Sequence, residues 1–152
     1  MLQAPGALDA GAFADEIVPL TIKVGKEEVV FANDEYPNRK TDPVKLAGLR
    51  PAFKKDGSVT AGTSSGINDG ASAMLLASEE AVKQFGLRPL VELIGIGQGG
   101  VEPTLMGLGP TPAIRQALKH AGLKLSDIDV FELNEAFAAQ SLGVVHELSE
   151  EH

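Results

Sequence analysis

The sequence predicts an α/β fold with parallel strand pairing, on three observations. Apolar runs of strand length, "PLVELIGIG" at 89–97 and "DVFEL" within 128–133, alternate with helix-length segments through the later half. Alternation of that kind pairs strands in parallel and lays the helices on the sheet. The helical segments also carry their own start and stop residues. Six Phe, one Tyr and no Trp in 152 residues leave an aliphatic, Ala-rich core.

Taken in order, "MLQAPGALDAGAFADEIVPL" reads as the end of a small-residue helix and then an extended piece. "EIVPLTIKVGKEEVVFANDE" predicts two strands joined at Gly25 and Lys26, because Ile, Val and Thr flank a turn-like pair, with Pro19 suited to an edge. "YPNRKTDPVKLAGLRPAFKKDGSV" is a charged excursion with three prolines. There Asp42 can cap a short helix that opens on Pro43 and runs to about Leu49, before Pro51 stops it.

"TAGTSSGINDGASAMLLAS" passes from a Gly/Ser/Thr loop into a small-residue apolar run. "SEEAVKQFG" predicts a helix with Ser78 as cap, Glu79 and Glu80 in the first turn and Gly86 after the end. A strand follows at 89–97, then a Gly-rich connection. "PTPAIRQALKHAGL" has apolar residues at 113, 114, 117, 118 and 121, close to a 3.6-residue period. After the strand 128–133 comes a helix over 136–148, apolar around most of its circumference and therefore expected to be central and buried. The patterning marks a boundary near Gly86–Pro89.

The chain is of one-domain length, and such a domain buries roughly 70% of its unfolded surface. Its apolar fraction of 43% and charged fraction of 22% are ordinary for a globular protein. A net charge of −8 argues against nonspecific binding to nucleic acid or an anionic membrane. With no cysteine, the chain has no disulfide, no thiolate metal site and no cysteine nucleophile of its own. No apolar stretch approaches the ~20 residues of a membrane span, and the start lacks a basic segment followed by an apolar run, so a soluble cytoplasmic protein is expected.

Asn134 and Glu135 interrupt the apolar run in "VFELNEAFAAQ". Asn is a leading N-cap residue and a carboxylate in the first turn complements the helix dipole. Asn134 also stands just beyond a strand end, where ligands bind in such sheets, and its amide can aim a donor at developing negative charge. Both readings stand. The loop 61–71, "AGTSSGINDGA", lets a ligand approach the backbone and offers hydroxyls; it equally suits a tight turn capped by Asn68 and Asp69. "GIGQGG" at 95–100 matches neither the spacing nor the context of a dinucleotide fingerprint. His120, His146 and His152 are scattered and read as solvated or incidental. Arg39, Lys40, Lys45, Arg50, Lys54 and Lys55 form either a solvated face or a contact for an anionic ligand.

Six blocks in this order, "FADEIVPL", "DEY", "LRPAF", "VTAGTSSGINDGAS", "MGLGPTPAIRQAL" and "DVFELNEAFAAQ", resemble successive blocks of the thiolases, the acetyl-CoA C-acetyltransferases and 3-ketoacyl-CoA thiolases. The resemblance runs from about Ala7 to Leu148. It implies a layered αβαβα fold of two similar halves with an inserted loop domain, only part of it present here. Residues 1–60 would be the end of the loop domain, 60–88 the end of the first half and 89–152 the start of the second. A β-ketoacyl synthase shares the fold, but "NEAF" and "SGINDGA" are thiolase-like blocks.

The resemblance further implies condensation of two acetyl-CoA molecules, or cleavage of a 3-ketoacyl-CoA by CoA, through an acyl-cysteine. CoA thioesters are then substrate, and no resident cofactor is expected. Asn134 would hold a water of the oxyanion hole. Ser65 would contact the pantetheine chain, and Phe53, Met106, Ala136 and Phe137 would line its tunnel or the acyl end. Arg39 would face the CoA phosphates, although Asn38 stands directly after "DEYP", where the family often has Arg. The family's nucleophilic cysteine, its Gly-His-Pro histidine and its second cysteine have no counterpart in this sequence. An internal fragment, inactive alone and pairing with the missing thiolase segments or with itself, is therefore expected. The alternative is a noncatalytic module that binds CoA or assembles with a complementary chain.

Overall fold

A computed structural model describes residues 3–150, which fall into two compact units divided between Arg50 and Pro51. His152 lies outside the described residues.

The first unit begins with a short helix α1 (Gln3–Asp9) and contains one antiparallel hairpin, β1 (Leu20–Val24) and β2 (Glu27–Phe31). Its register pairs Leu20 with Phe31, Ile22 with Val29 and Val24 with Glu27. Side chains alternate across a strand, so Leu20, Ile22, Val29 and Phe31 share one face, while Lys23 and Glu28 pair across the other. Gly25, at φ 65°, takes the first position of the two-residue turn, where a type II′ hairpin needs positive φ.

Asp42 caps α2 (Pro43–Ala47) as the sequence predicts: its Oδ1 accepts from the Lys45 amide at 2.9 Å, and its Oδ2 lies 3.2 Å from Lys45 Nζ. The Lys45 backbone bond, foremost, holds the Asp42 carboxyl below its ordinary value of 3.8. A depressed folded pKa adds stability that is present above the unfolded value and is lost as pH falls through the folded one. The Lys45 amide resonance should therefore titrate with a midpoint below 3.8, and a midpoint at or above it would contradict the cap.

In the second unit, α3 (Glu79–Phe85) has the expected ends. Ser78 Oγ accepts from the Ala81 amide at 3.2 Å, and Gly86 closes the helix in the left-handed conformation at φ 59°. After it come a 3₁₀ segment (Pro103–Leu108), α4 (Pro110–Ala121), a 3₁₀ turn (Leu125–Asp127) and α5 (Ala138–Ser149). The 3₁₀ segment packs on α5 through glycines. A methyl built on Gly107 would lie 3.1 Å from Gln140 Cβ, and one on Gly143 3.0 Å from Leu108 Cδ2.

Several expectations are corrected here. Residues 89–97 and 128–133 form no strand, and the β1–β2 hairpin is the sheet of the described residues, antiparallel rather than parallel. A strand exists only through its ladder, and these two segments hydrogen-bond to no neighbouring strand. α5 starts at Ala138, not at residue 136, with Phe137 at the N-cap position and no side-chain cap. Nor is α5 buried all round: Val144 is fully buried, but Leu142 and Val145 face out. Among the described residues only Val144 and Thr111 are fully buried. The chain exposes 13,059 Å², where a folded monomer of 15.9 kDa would expose about 7,400 Å². The burial expected of a self-sufficient domain is therefore not reached.

"GIGQGG" has a packing role. Gly95, Gly97 and Gly99 alternate along an extended segment and face Pro112, Ala113, Ala117 and Ala121 on α4. Methyls at 95 and 99 would come within 2.7 Å of the Ala117 carbonyl oxygen and 2.8 Å of the Ala113 nitrogen; one at 97 would collide with the Ala113 carbonyl oxygen. Two polar contacts fasten the same segment: the Gln98 amide donates to Gln116 Oε1 at 2.5 Å, and His120 Nδ1 meets the Ile96 carbonyl at 2.7 Å. His120 is thus a structural tie, not an incidental residue. His146 is exposed on α5, with Nε2 3.4 Å from Glu150 Oε1.

Candidate functional site

The loop after Thr60 is built by its own hydroxyls. Thr60 caps the 3₁₀ turn Ala61–Thr63, its amide donating to Thr63 Oγ1 at 2.9 Å, and Ser64 Oγ donates to the Thr60 carbonyl at 2.7 Å. The chain leaves this turn extended, and Ser64 forms an isolated antiparallel bridge with Phe137. Beside it the Ser65 amide donates to the Ala136 carbonyl at 2.9 Å, and Ser65 Oγ donates to the Glu135 carbonyl at 2.5 Å. Two loops about 70 residues apart in sequence are joined in this way.

On the other side of the clasp the Ala136 amide donates to the Asn134 carbonyl at 3.1 Å, closing a tight γ-type turn. This turn separates Asn134 from the helix, so Asn134 is not the N-cap of α5. Its side chain is exposed and not used to close the helix. The first-turn amides of α5 likewise have no side-chain acceptor. Just inside the helix, Gln140 Oε1 and Ser141 Oγ are buried without a hydrogen-bond partner, as is Thr111 Oγ1 on α4. Such atoms typically cost about 1–3 kcal/mol each when left unpaired.

Ser65, Asn134, Ala136 and Phe137 are thus brought into one place. Met106 lies on the 3₁₀ segment that packs against α5 and is itself exposed. Phe53, 81% exposed, stands on the turn closed by the Ala52–Val59 bond, outside the clasp. Arg39 belongs to the first unit, where its Nη1 pairs with Asp9 at 2.5 and 2.6 Å. That pair is solvent-exposed, and such pairs contribute ~0–1 kcal/mol, too little to withhold the guanidinium from a phosphate.

Sequence reasoning missed the Glu135 and Ala136 carbonyls as the anchors of the clasp. No side-chain signal could have revealed them, since every residue has a carbonyl. A separate apolar depression of about 360 Å³ lies between α4, α5 and residues 131–133, lined by Ile114, Phe131, Val144 and Leu148 among others, and includes none of the candidate residues. Among the described residues no group of His, Asp or Glu is arranged to hold a metal, and no helix is long and apolar enough to cross a membrane.

Residues 2–80 match the family model for the thiolase N-terminal domain, and residues 87–152 match that for the thiolase C-terminal domain. Over 145 residues the chain is 52% identical to an acetyl-CoA acetyltransferase of Syntrophomonas wolfei, covering 95% of this chain and 36% of that protein. The crystal structure of the Bacillus anthracis acetyl-CoA acetyltransferase superposes with a TM-score of 0.83 at 52% identity, over 96% of this chain and 37% of that one. Human mitochondrial 3-ketoacyl-CoA thiolase in complex with CoA superposes with a TM-score of 0.78 at 47% identity, over 97% and 36%. The chain spans little more than a third of the length of the relatives it matches. The six sequence blocks, the clasp between two of them and both family models lead to one conclusion: this chain belongs to the thiolase family and carries part of its α/β fold.

Proposed function

We propose that this chain is part of an acyl-CoA C-acyltransferase, which condenses two acetyl-CoA or cleaves a 3-ketoacyl-CoA through an acyl-cysteine. The observation that carries the proposal is the clasp at Ser65, because it unites the two blocks most suited to handle a thioester. In this reading Asn134 holds a water that donates to the thioester oxygen as it gains charge. An amide suits that role because it donates without adding a charge of its own. Ser65 has spent its single proton on the Glu135 carbonyl, so its oxygen remains an acceptor for a pantetheine amide N–H. Ala136, Phe137, Met106 and Phe53 supply apolar contacts, and Arg39 meets phosphate.

Covalent catalysis needs a nucleophile beside an activating base. With no cysteine in its sequence, this chain alone is inactive in the proposed reaction and acts with segments that bring the thiol. The large exposed surface supports association with a further polypeptide, and it equally favours a second reading, a CoA-binding or assembly module without turnover. The proposed organisation is the end of a loop domain over 1–60, the end of one half over 60–88 and the start of the next over 89–152. The proposed setting is the cytoplasm.

Calorimetric titration of CoA into the purified chain tests the binding half of this proposal. Saturable binding, weakened several-fold by Ser65→Ala or Phe137→Ala, is expected. A folded sample that binds no CoA would remove CoA from the function of this chain.

A further inference from the structure

We propose that Ser65 is a positioning residue that sets the direction of Asn134 by pinning the peptide unit between Glu135 and Ala136. That unit is held at both ends. Its carbonyl, from Glu135, accepts the Ser65 hydroxyl at 2.5 Å, and its N–H, from Ala136, donates to the carbonyl of Asn134 at 3.1 Å. A peptide group is planar and moves as one body, so fixing its carbonyl also fixes where its N–H points. The N–H in turn holds the Asn134 carbonyl and with it the backbone from which the Asn134 side chain projects.

A second bond, from the Ser65 amide to the Ala136 carbonyl, keeps the loops in register, and the Ser64–Phe137 bridge continues that register toward α5. The neighbouring hydroxyl does not duplicate the role. Ser64 Oγ is directed back to the Thr60 carbonyl at 2.7 Å and serves its own turn. Ser65 is thus the hydroxyl that crosses about 70 residues of sequence to reach the turn after Asn134.

The use made of Asn134 rests on the proposed thioester chemistry, but the clasp itself does not, and both can be read separately. The experiment records the side-chain amide resonances of Asn134 and the hydrogen exchange of the Ala136 amide in the isotopically labelled full chain, without CoA. In Ser65→Ala the Asn134 pair should shift and Ala136 exchange should quicken roughly 2- to 12-fold, the range that one lost hydrogen bond gives. Ser65→Thr, which keeps the hydroxyl, should restore both values, and Ser64→Ala should leave both unchanged.

An Asn134 pair that stays in place in Ser65→Ala overturns the proposal. So does a shift that Ser64→Ala reproduces, or that Ser65→Thr fails to correct, because either would mark general loosening. Should Ser65→Ala unfold the second unit, seen as lost protection at Val144, Ser65→Cys replaces it. Its weakly donating thiol should shift the Asn134 pair, and an unmoved pair again overturns the proposal. A folded, unsubstituted chain that binds no CoA, with these shifts present in Ser65→Ala, defeats the thioester reading and leaves the clasp standing.

Discussion

Gly97→Ala should be the most damaging single methyl addition in the second unit. The added carbon would meet the Ala117 nitrogen at 2.5 Å and collide with the Ala113 carbonyl oxygen. Both are backbone atoms of α4, which cannot swing aside as the end of a side chain can. Relief requires the segment 95–99 to lift from the helix, and lifting strains the Gln98–Gln116 and His120–Ile96 contacts. Overpacking typically costs about 1–3 kcal/mol, and the backbone collision sets this case at about 3. For a unit of this size, that corresponds to roughly 12–24 °C in the unfolding midpoint. Gly100→Ala is the control, since nothing lies within 4 Å of a methyl at that position. Thermal unfolding followed by circular dichroism should separate the two variants clearly. Equal midpoints would show that 95–99 does not pack on α4 in solution.

The second large effect concerns chemistry. If Asn134 holds the oxyanion water as proposed, then in an enzyme completed by cysteine-bearing segments Asn134→Ala should lower kcat by about 100- to 1,000-fold, the usual consequence of losing one oxyanion donor. KM should change little, because such a donor acts on charge that develops only in the transition state. Asn134→Asp keeps the shape but places an anion near the developing negative charge, so it should be no better than Ala. Steady-state rates of condensation or thiolysis decide the matter. A loss below tenfold in kcat for Asn134→Ala would remove Asn134 from the oxyanion site. The alanine variant should fold normally, since the hydrogen bond at residue 134 uses its backbone carbonyl rather than its side chain.

The elements legible in the sequence were those with local causes. Asp42 and Pro43 start α2, Ser78 and Gly86 bound α3, and Gly25 turns the hairpin. Each acts through bonds to residues a few positions away, so composition and spacing suffice. The misplaced start of α5 has the same root. Asn134 has a strong capping propensity, but the bonds from Ser65 hold residues 135–136 in a turn and delay the helix to Ala138. A tertiary contact overrode a local preference.

Candidate residues divided along the same line. Ser65 and Asn134 could be named from their blocks, but their union through main-chain carbonyls could not. The alternating glycines of 95–99 were visible, yet only the approach of α4 shows why a side chain there is excluded. The apolar runs 89–97 and 128–133 have strand composition, but a strand is a relation between segments, and here that relation is not formed.

By itself, then, the sequence determined the family, the start of α2, both ends of α3, the hairpin turn and the lack of any thiol, all of which reside in residue identity and short spacing. Tertiary structure alone decided which runs become strands, where α5 begins and which hydroxyl holds the turn after Asn134. Those outcomes depend on backbone groups that all residues share, and only the folded chain determines which of them meet.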